Sequence, residues 1–426
     1  MLEIKSLFAS KSGQVSLPFN SCWRGIRDGQ WGVRVRVVLS WAVWLLSSLG
    51  CSSTNTTREM EGVIRQGSDG RQVSEGAQPK LAGSLRAEPP PTLTPPEGQE
   101  LICGQKVEMG TPFKICLNVP LLGAEQAERV QRATRDLEAA FAKIAQMNLW
   151  MSDWLPSSEL SQVNARAGQE AVAVRPELWQ LLKQTLEVAR VSQGAFDPSF
   201  NVFFGLYNFK PGQEREPSSA EIAQRRPLIR WQDIELRPGS PQRVYLKREG
   251  MKLGLGAVGQ GYAAQIVADE LRLLGYPGGY VDGSGDTIFW GQTPKKTLWT
   301  TAIRDPRDHS KIILRIYGTD LAITTAGDDE KFFWRNGQRV HHIIDPRTGR
   351  PATKSRQVTV IARRGFDADA WDTAAFVMGA EKAIPILEKR GLHAVIVDDQ
   401  GRVWLTKGLQ RVETEWGTHH LPRWPR

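Results

Sequence analysis

An apolar run, Val358 to Ala362, leads within a few residues into Phe366-Asp367-Ala368-Asp369-Ala370-Trp371-Asp372-Thr373-Ala374-Ala375-Phe376-Val377-Met378-Gly379. The first stretch predicts a strand and the second a helix that begins with acidic residues, which suit the positive end of a helix dipole. The helical pattern extends the element over about Ala370 to Lys389. Asp369 and Thr373 are four apart and share one helical face. A carboxylate beside a hydroxyl offers hard oxygen ligands, which suit Mg²⁺ better than Zn²⁺. The same residues also suit plain N-terminal capping, and taken alone the stretch leaves both readings open.

Elsewhere the pattern sorts the chain into unequal parts. Arg34 and Arg36 precede an apolar run, Val37 to Leu49, that closes on Ser48-Leu49-Gly50-Cys51. A positive region, a short apolar region and a small residue before cysteine make a bacterial lipoprotein signal, and the run is short for a spanning helix. Residues 1–50 are therefore an extension plus signal peptide, with translation expected to start near Val33. Either lipidation of Cys51 or an uncleaved anchor puts the remainder outside the cytoplasm. Residues 51–99, rich in Ser, Thr, Gly, Pro and charge, form a tether that cannot bury a core. Residues 100–421 are the globular part. The net charge of +9 suits a soluble surface, or one near an anionic membrane. No basic stretch is interleaved with aromatics in a nucleic-acid-binding pattern, so no nucleic-acid partner is expected.

The globular part opens with two strand-like runs, Glu100–Glu108 and Phe113–Pro120, which carry Cys103 and Cys116. A simple hairpin would set the two cysteines nearly opposite each other, and a disulfide and two free thiols are both open. A helix is expected over about 124–147 and another over Pro176–Val191, with Pro at its first turn. A third opens at the glycine-rich stretch near Gly259 and runs to about Leu274. Strands fall near Trp299–Arg304, Ile312–Ile316 and Ala322–Thr325, and a hairpin over Ala394–Leu405 closes the domain. Helices and strands mix without βαβ regularity, which makes the fold class α+β.

Gly254-x-Gly256-x-x-Gly259 has the spacing of a dinucleotide fingerprint, with Asp282 roughly where a ribose ligand would stand. The incoming strand near Val244–Leu253 is polar, unlike a buried parallel strand, so a Rossmann site is disfavoured. A glycine turn at a helix N-terminus can still admit a pyrophosphate close to backbone amides. His341-His342-Ile343-Ile344-Asp345-Pro346-Arg347-Thr348-Gly349 sets titratable groups in one probable turn. A neutral histidine can take a proton from a hydroxyl, but adjacent residues on a strand point opposite ways, so only one should serve. A surface turn with local ion pairs is the competing reading.

The ordered set of motifs resembles the ApbE-type family of FAD:protein FMN transferases. It comprises Met109-Gly-Thr111; Met151-Ser152 with Ser158-Glu159-Leu160 and Asn164; Gly194-Ala195-Phe196-Asp197-Pro198; Gly256 to Tyr262; Gly283 to Asp286; Thr325 to Asp328; His342 to Gly349; and Ala368 to Thr373. The resemblance covers residues 101 to about 410. It implies a T-fold-like, mixed and antiparallel flavin transferase fold that uses FAD as substrate and Mg²⁺ as cofactor. The enzyme would place FMN on a Thr or Ser hydroxyl of an extracytoplasmic redox protein and release AMP. The resemblance makes Asp369, Thr373 and the backbone carbonyl of Ala257 metal ligands. It makes His342 the catalytic base, with Asp372 as helper. It places Met109, Trp154, Ala195, Phe196, Asp197, Gln260 and Ile344 at the FAD site. The chain departs from the usual pattern at Gly254, where an acid is common, and at Gln260, Gln265, Ala326 and Asp329. A metal-dependent FAD pyrophosphatase and a non-catalytic flavin-binding lipoprotein are the alternative functions. The expected location is the periplasmic side of the bacterial inner membrane, through a lipid on Cys51.

Overall fold

The computed structural model describes residues 98–121, 123–410 and 418–420. The expected leader, Cys51 and nearly all of the tether lie outside these residues, as does the expected domain end at Leu421. Eight strands form one antiparallel sheet. In spatial order they are Gln99–Glu108, Thr111–Pro120, Gly278–Gly283, Asp286–Gly291, Leu321–Gly327, Ser355–Ala362, His393–Asp398 and Val403–Leu405. Mixed helices on such a sheet make the fold α+β.

Both faces of this sheet are buried, which explains why the run at Val358–Ala362 does not alternate with polar residues. Val358, Val360 and Ala362 join a core with helices Gln126–Met151, Gly259–Leu273 and Gly365–Met378. Ile361, between them, points the other way. It packs with Phe289, Ile323 and Val395 against Trp299, Ile303, Leu314 and Ile316 of the strand pair Trp299–Asp305 and Asp308–Gly318. The helix Pro176–Val191 has the bounds that the sequence predicts. The first helix runs from Gln126 to Met151, four residues past the expected end. It carries Met147, Trp150 and Met151 into the core.

One expectation is corrected. The helix expected over Ala370–Lys389 is two helices, Gly365–Met378 and Ala380–Lys389. Gly379 separates them with φ 79°, a left-handed value that a side chain resists and that a periodicity argument does not register. The residues around Val244 do not form part of a βαβ unit. Arg243–Leu246 sits in a small antiparallel sheet, between Val172–Ala173 and Ile234–Arg237. Asp282, the would-be ribose ligand, instead pins a hairpin turn: its Oδ1 accepts from the Gly285 amide and the Thr287 hydroxyl. Cys103 and Cys116 are direct partners in the first hairpin and are joined by a disulfide.

The helices Gly259–Leu273 and Gly365–Met378 meet at Gly261 and Gly365. A Cβ at Gly261 would lie 2.5 Å from the Gly365 carbonyl oxygen and 2.7 Å from Asp369 Cβ. A Cβ at Gly365 would lie 2.0 Å from the Gly261 carbonyl oxygen. Two backbones this close leave no room for a methyl group, and rigid backbone cannot yield as a flexible side chain would. Gly261→Ala should therefore cost about 3 kcal/mol, seen as a lower melting temperature and a lower denaturant midpoint.

Candidate active site

The glycine contact brings the start of one helix under the acidic face of the other. The first amides of a helix have no intrahelical acceptor. Asp369, from the first half of its own helix, supplies one across the interface: its Oδ2 accepts from the Gly261 N–H at 2.9 Å. Asp369 is buried, 5% exposed. Burial raises its carboxyl pKa to about 7 against the opposing pull of the Gly261 hydrogen bond. One oxygen thus holds the helix start, which leaves Oδ1 for a further partner.

Thr373 follows one turn later on the same face, and its hydroxyl donates to Asp372 Oδ1 at 3.1 Å. The lone pairs of that hydroxyl remain able to face a cation. Asp372 is buried as well. Its proton affinity is raised by burial and then by the charge of Asp369. Ala257 lies in the turn immediately before helix Gly259–Leu273, four residues ahead of the amide that Asp369 holds.

A third acid, Asp286, belongs to this group and is not singled out for a role by the sequence. It opens the strand after the Ser284-Gly285 turn. Burial raises its pKa well above the ordinary range, and the negative charges of Asp369, Asp372, Asp282 and Glu330 raise it further. Asp286 stands more than eighty residues from the other two acids, and its place at the end of the Gly283–Asp286 motif is the signal that pointed to it. The residues present fit a hard divalent cation. They offer a carboxylate, a hydroxyl and a carbonyl as oxygen donors, in a buried field that is negative and lacks compensation among the acids themselves. No cluster of three or more His, Cys, Asp or Glu with metal-binding geometry occurs among the described residues. A site of one carboxylate with hydroxyl and carbonyl donors would not form such a cluster.

The neighbouring histidines have different environments. His341 is buried, with its Nε2 2.8 Å from the Ala352 carbonyl and its Nδ1 accepting from the Ile343 N–H at 3.3 Å. This pairing makes Nε2 the protonated nitrogen and uses the whole ring for structure. The His342 side chain is 29% exposed, with Nε2 4.0 Å from Glu330 Oε2. Its Nδ1 is buried without a hydrogen-bond partner. Burial, reinforced by the Lys331 charge, pushes its pKa down to about 4. His342 is therefore a neutral imidazole at neutral pH.

A cleft runs past the start of helix Gly259–Leu273. Met109, Trp154 and Gln260 line it together with Gly256, Leu255 and Asp153. Three elements far apart in sequence meet there: the turn of the first hairpin, the loop after the first helix and the glycine-rich turn. Trp154 is 57% exposed, an unusual setting for so large an apolar ring. Ala195, Phe196 and Asp197 are buried and do not line this cleft. The Asp197 carboxylate accepts from the Ser199 amide and hydroxyl and from the Trp231 amide, which ties two loop segments together. Ile344 is buried in a short strand paired with Pro351.

The departure at Gly254 has a steric cause. A Cβ there would lie 2.9 Å from Asn201 Cγ, so the space for a side chain is already filled. Asn201 donates to the Leu253 carbonyl at 2.9 Å and also bonds to Asp153. Asp153, half-buried with a raised pKa, is thus the acid at this end of the cleft. Sequence reading passed over it because an acid in a Ser-Asp-Trp loop has no periodic or motif signal.

An α+β domain with a cleft past an exposed tryptophan, and a buried acidic helix face bonded to the same helix start, is the setting of these residues. The ApbE family profile matches residues 109–396, and the chain belongs to the ApbE family. The FAD:protein FMN transferase of Treponema pallidum is 32% identical over 288 residues, covering 64% of this chain and 80% of its own. That of Escherichia coli K12 is 27% identical over 265 residues, covering 60% and 75%. The crystal structure of the ApbE protein of Thermotoga maritima superposes with a TM-score of 0.66 at 27% identity, over 74% of this chain and all of that one. The Pseudomonas stutzeri flavinyl transferase in its apo form shares the fold, with a TM-score of 0.62 at 24% identity, over 73% of this chain and 96% of that one.

Proposed function

We propose that the protein transfers FMN from FAD to a Ser or Thr hydroxyl of another protein, with Mg²⁺ held by Asp369, Thr373 and the Ala257 carbonyl. One observation carries this reading. The cleft residues Gly256 and Gln260 flank Ala257, and Gly261, next to Gln260, is held by Asp369. A nucleotide in the cleft therefore lies against the acidic site, and its pyrophosphate meets the free amides at the helix start. The curated relatives named FAD:protein FMN transferase support the same substrate pair.

A divalent cation held by Asp369, Thr373 and the Ala257 carbonyl would supply charge neutralisation for the pyrophosphate. Trp154 and Met109 hold the flavin nucleotide, and Gln260 orients it. His342, a neutral imidazole with a partly exposed side chain, takes the proton of the acceptor hydroxyl. The hydroxyl oxygen bonds to the phosphorus of the FMN half, the bond to the AMP phosphate oxygen breaks, and AMP leaves. Asp372, locked to Thr373, keeps the acidic face in position.

The enzyme incubated with FAD, Mg²⁺ and candidate extracytoplasmic domains should yield an acceptor with FMN-sized added mass and in-gel flavin fluorescence, abolished by a chelator. Free FMN and AMP without labelling would favour the pyrophosphatase, and intact bound FAD would favour a binding protein.

Asp369→Asn should abolish metal-dependent turnover, and unchanged activity at ordinary Mg²⁺ concentration would remove this residue from the ligand set. His342→Ala should slow transfer by about 10²- to 10⁴-fold while FAD binding stays within a few-fold. Because His342 binds its proton only near pH 4, its base form persists through the mildly acidic range. At saturating Mg²⁺, turnover should fall as pH drops toward 4 and should show no step near 6.5, the ordinary histidine value. A limb at 6.5 that disappears in His342→Ala would contradict the buried, neutral state.

We further propose that the domain is tethered by a lipid on Cys51 on the periplasmic side of the inner membrane. The signal-like stretch before Cys51 supports this, as does the Cys103–Cys116 disulfide, a bond suited to an oxidising compartment. Cys51→Ser should move the protein from the membrane to the soluble fraction. Equal membrane retention would argue for an uncleaved anchor.

A further inference from the structure

Strands Phe332–Arg335 and Gln338–His341 pair as a hairpin around the turn Asn336-Gly337, and His342 follows its second strand. The chain enters this hairpin from strand Leu321–Gly327 through Asp328-Asp329-Glu330-Lys331. Three of these four linking residues are tied down. The Asp328 amide donates to the Arg356 carbonyl at 2.9 Å, and its carboxylate pairs with Arg339 at 2.6 Å and Arg356 at 3.6 Å. The Asp329 carboxylate lies 2.6 Å from Nε2 of His309, on strand Asp308–Gly318. The Lys331 carbonyl accepts from the His342 N–H at 3.0 Å. Glu330 is the residue left over, and its backbone is fixed from both sides. Among the described residues its ion-pair partner is His342, with Glu330 Oε2 4.0 Å from Nε2. Its negative charge also acts on buried Asp286. Glu330 thus reaches both the candidate base and the acidic site.

The nitrogen that Glu330 faces is the one that matters. His342 Nδ1 is buried, so Nε2 is the ring nitrogen that an incoming hydroxyl can meet. Burial and the Lys331 charge both oppose a proton on this ring. A base that takes a proton, even briefly, is helped by a nearby negative charge that stabilises the imidazolium. Asp329 acts in that direction, but its carboxylate is already engaged by His309. Glu330 has no such competing partner. Its separation of 4.0 Å is too long for a hydrogen bond, which leaves the Nε2 lone pair open, and short enough for charge stabilisation.

We propose that Glu330 is a positioning residue for the transfer step, acting through His342 as the counter-charge to its imidazolium. The proposal rests on the transferase reading above. As the acceptor O–H bond breaks, its proton passes to Nε2. The oxygen bonds to the FMN phosphorus while the bond from that phosphorus to the AMP phosphate oxygen breaks. The imidazolium then stands beside the Glu330 carboxylate and releases its proton to water after AMP has left. Glu330 itself neither takes the proton nor bonds to phosphorus.

The test is a double-mutant cycle on the full chain: wild type, Glu330→Gln, His342→Ala and the two combined. Glutamine keeps the size of the side chain and removes its charge. The probe is the extracytoplasmic protein extract of the source organism, with saturating FAD and Mg²⁺, read as the initial rate of in-gel flavin labelling. FAD affinity, by flavin fluorescence, and melting temperature are measured for each variant. Glu330→Gln should label about tenfold more slowly than wild type with both of those unchanged, a moderate loss because water screens two partly exposed side chains. In the His342→Ala background the same substitution should change the rate by less than about twofold, because the group it serves is gone. Glu330→Asp, which keeps the charge, should retain more of the rate than Glu330→Gln. A wild-type rate in Glu330→Gln overturns the proposal and leaves the transferase reading standing. An equal loss in both backgrounds shows a role independent of His342 and also overturns it, as does a loss of FAD affinity. A wild-type enzyme that releases FMN but labels nothing overturns the transferase reading, and the acceptor step with it.

Discussion

A hydrogen bond 2.9 Å long, from the Gly261 amide to Asp369 Oδ2, spans the interface on which the candidate site is built. It exists because two glycines let two helix backbones approach more closely than any other residue would allow. A buried carboxylate is costly unless something offsets its charge. One backbone amide offsets part of that cost, and Asp286 and Asp372 add to it rather than relieve it. The tight contact therefore creates an electrostatic deficit, and a divalent cation is the simplest group that would remove it.

The sheet explains why this deficit can be sustained. Helices cover one face and a strand pair covers the other, so strand Ser355–Ala362 is fixed from both sides before it delivers the chain into the acidic helix. Asp286 arrives by another strand of the same sheet, with Leu321–Gly327 between it and Ser355–Ala362. The acids are thus held by two rigid elements, a helix and a strand, and cannot spread apart to lower their repulsion.

Much of this was legible before the fold was known. Helix Pro176–Val191 announced itself through a proline at its first turn and a regular apolar face. The opposite fates of His341 and His342 followed from strand alternation. Met109, Trp154 and Gln260, three residues from distant segments, do line one cleft. What sequence could not show was long-range. Asp286 and Asp153 have no periodicity to betray them, and their roles depend on what other segments bring beside them. Gly254 read as a lost acid until Asn201 was seen filling the space. The break at Gly379 was hidden because a single left-handed residue does not disturb an apolar pattern. The Asp197 carboxylate ties two loop segments together, a contact between residues distant in sequence that no local pattern carries.

The paired histidines restrict how the chain can change length. His341 sits opposite Phe332 in the hairpin register and points into the core, and His342 follows it outward. One residue inserted within Gln338–His341 would exchange the two imidazoles, burying one and presenting the other with every atom of the ring intact. The same insertion at Asn336-Gly337 would be absorbed by a longer turn. Natural relatives of this chain should accordingly vary in the hairpin tip and keep an invariant count of residues along its second strand, a constraint visible in gap positions rather than in residue identities.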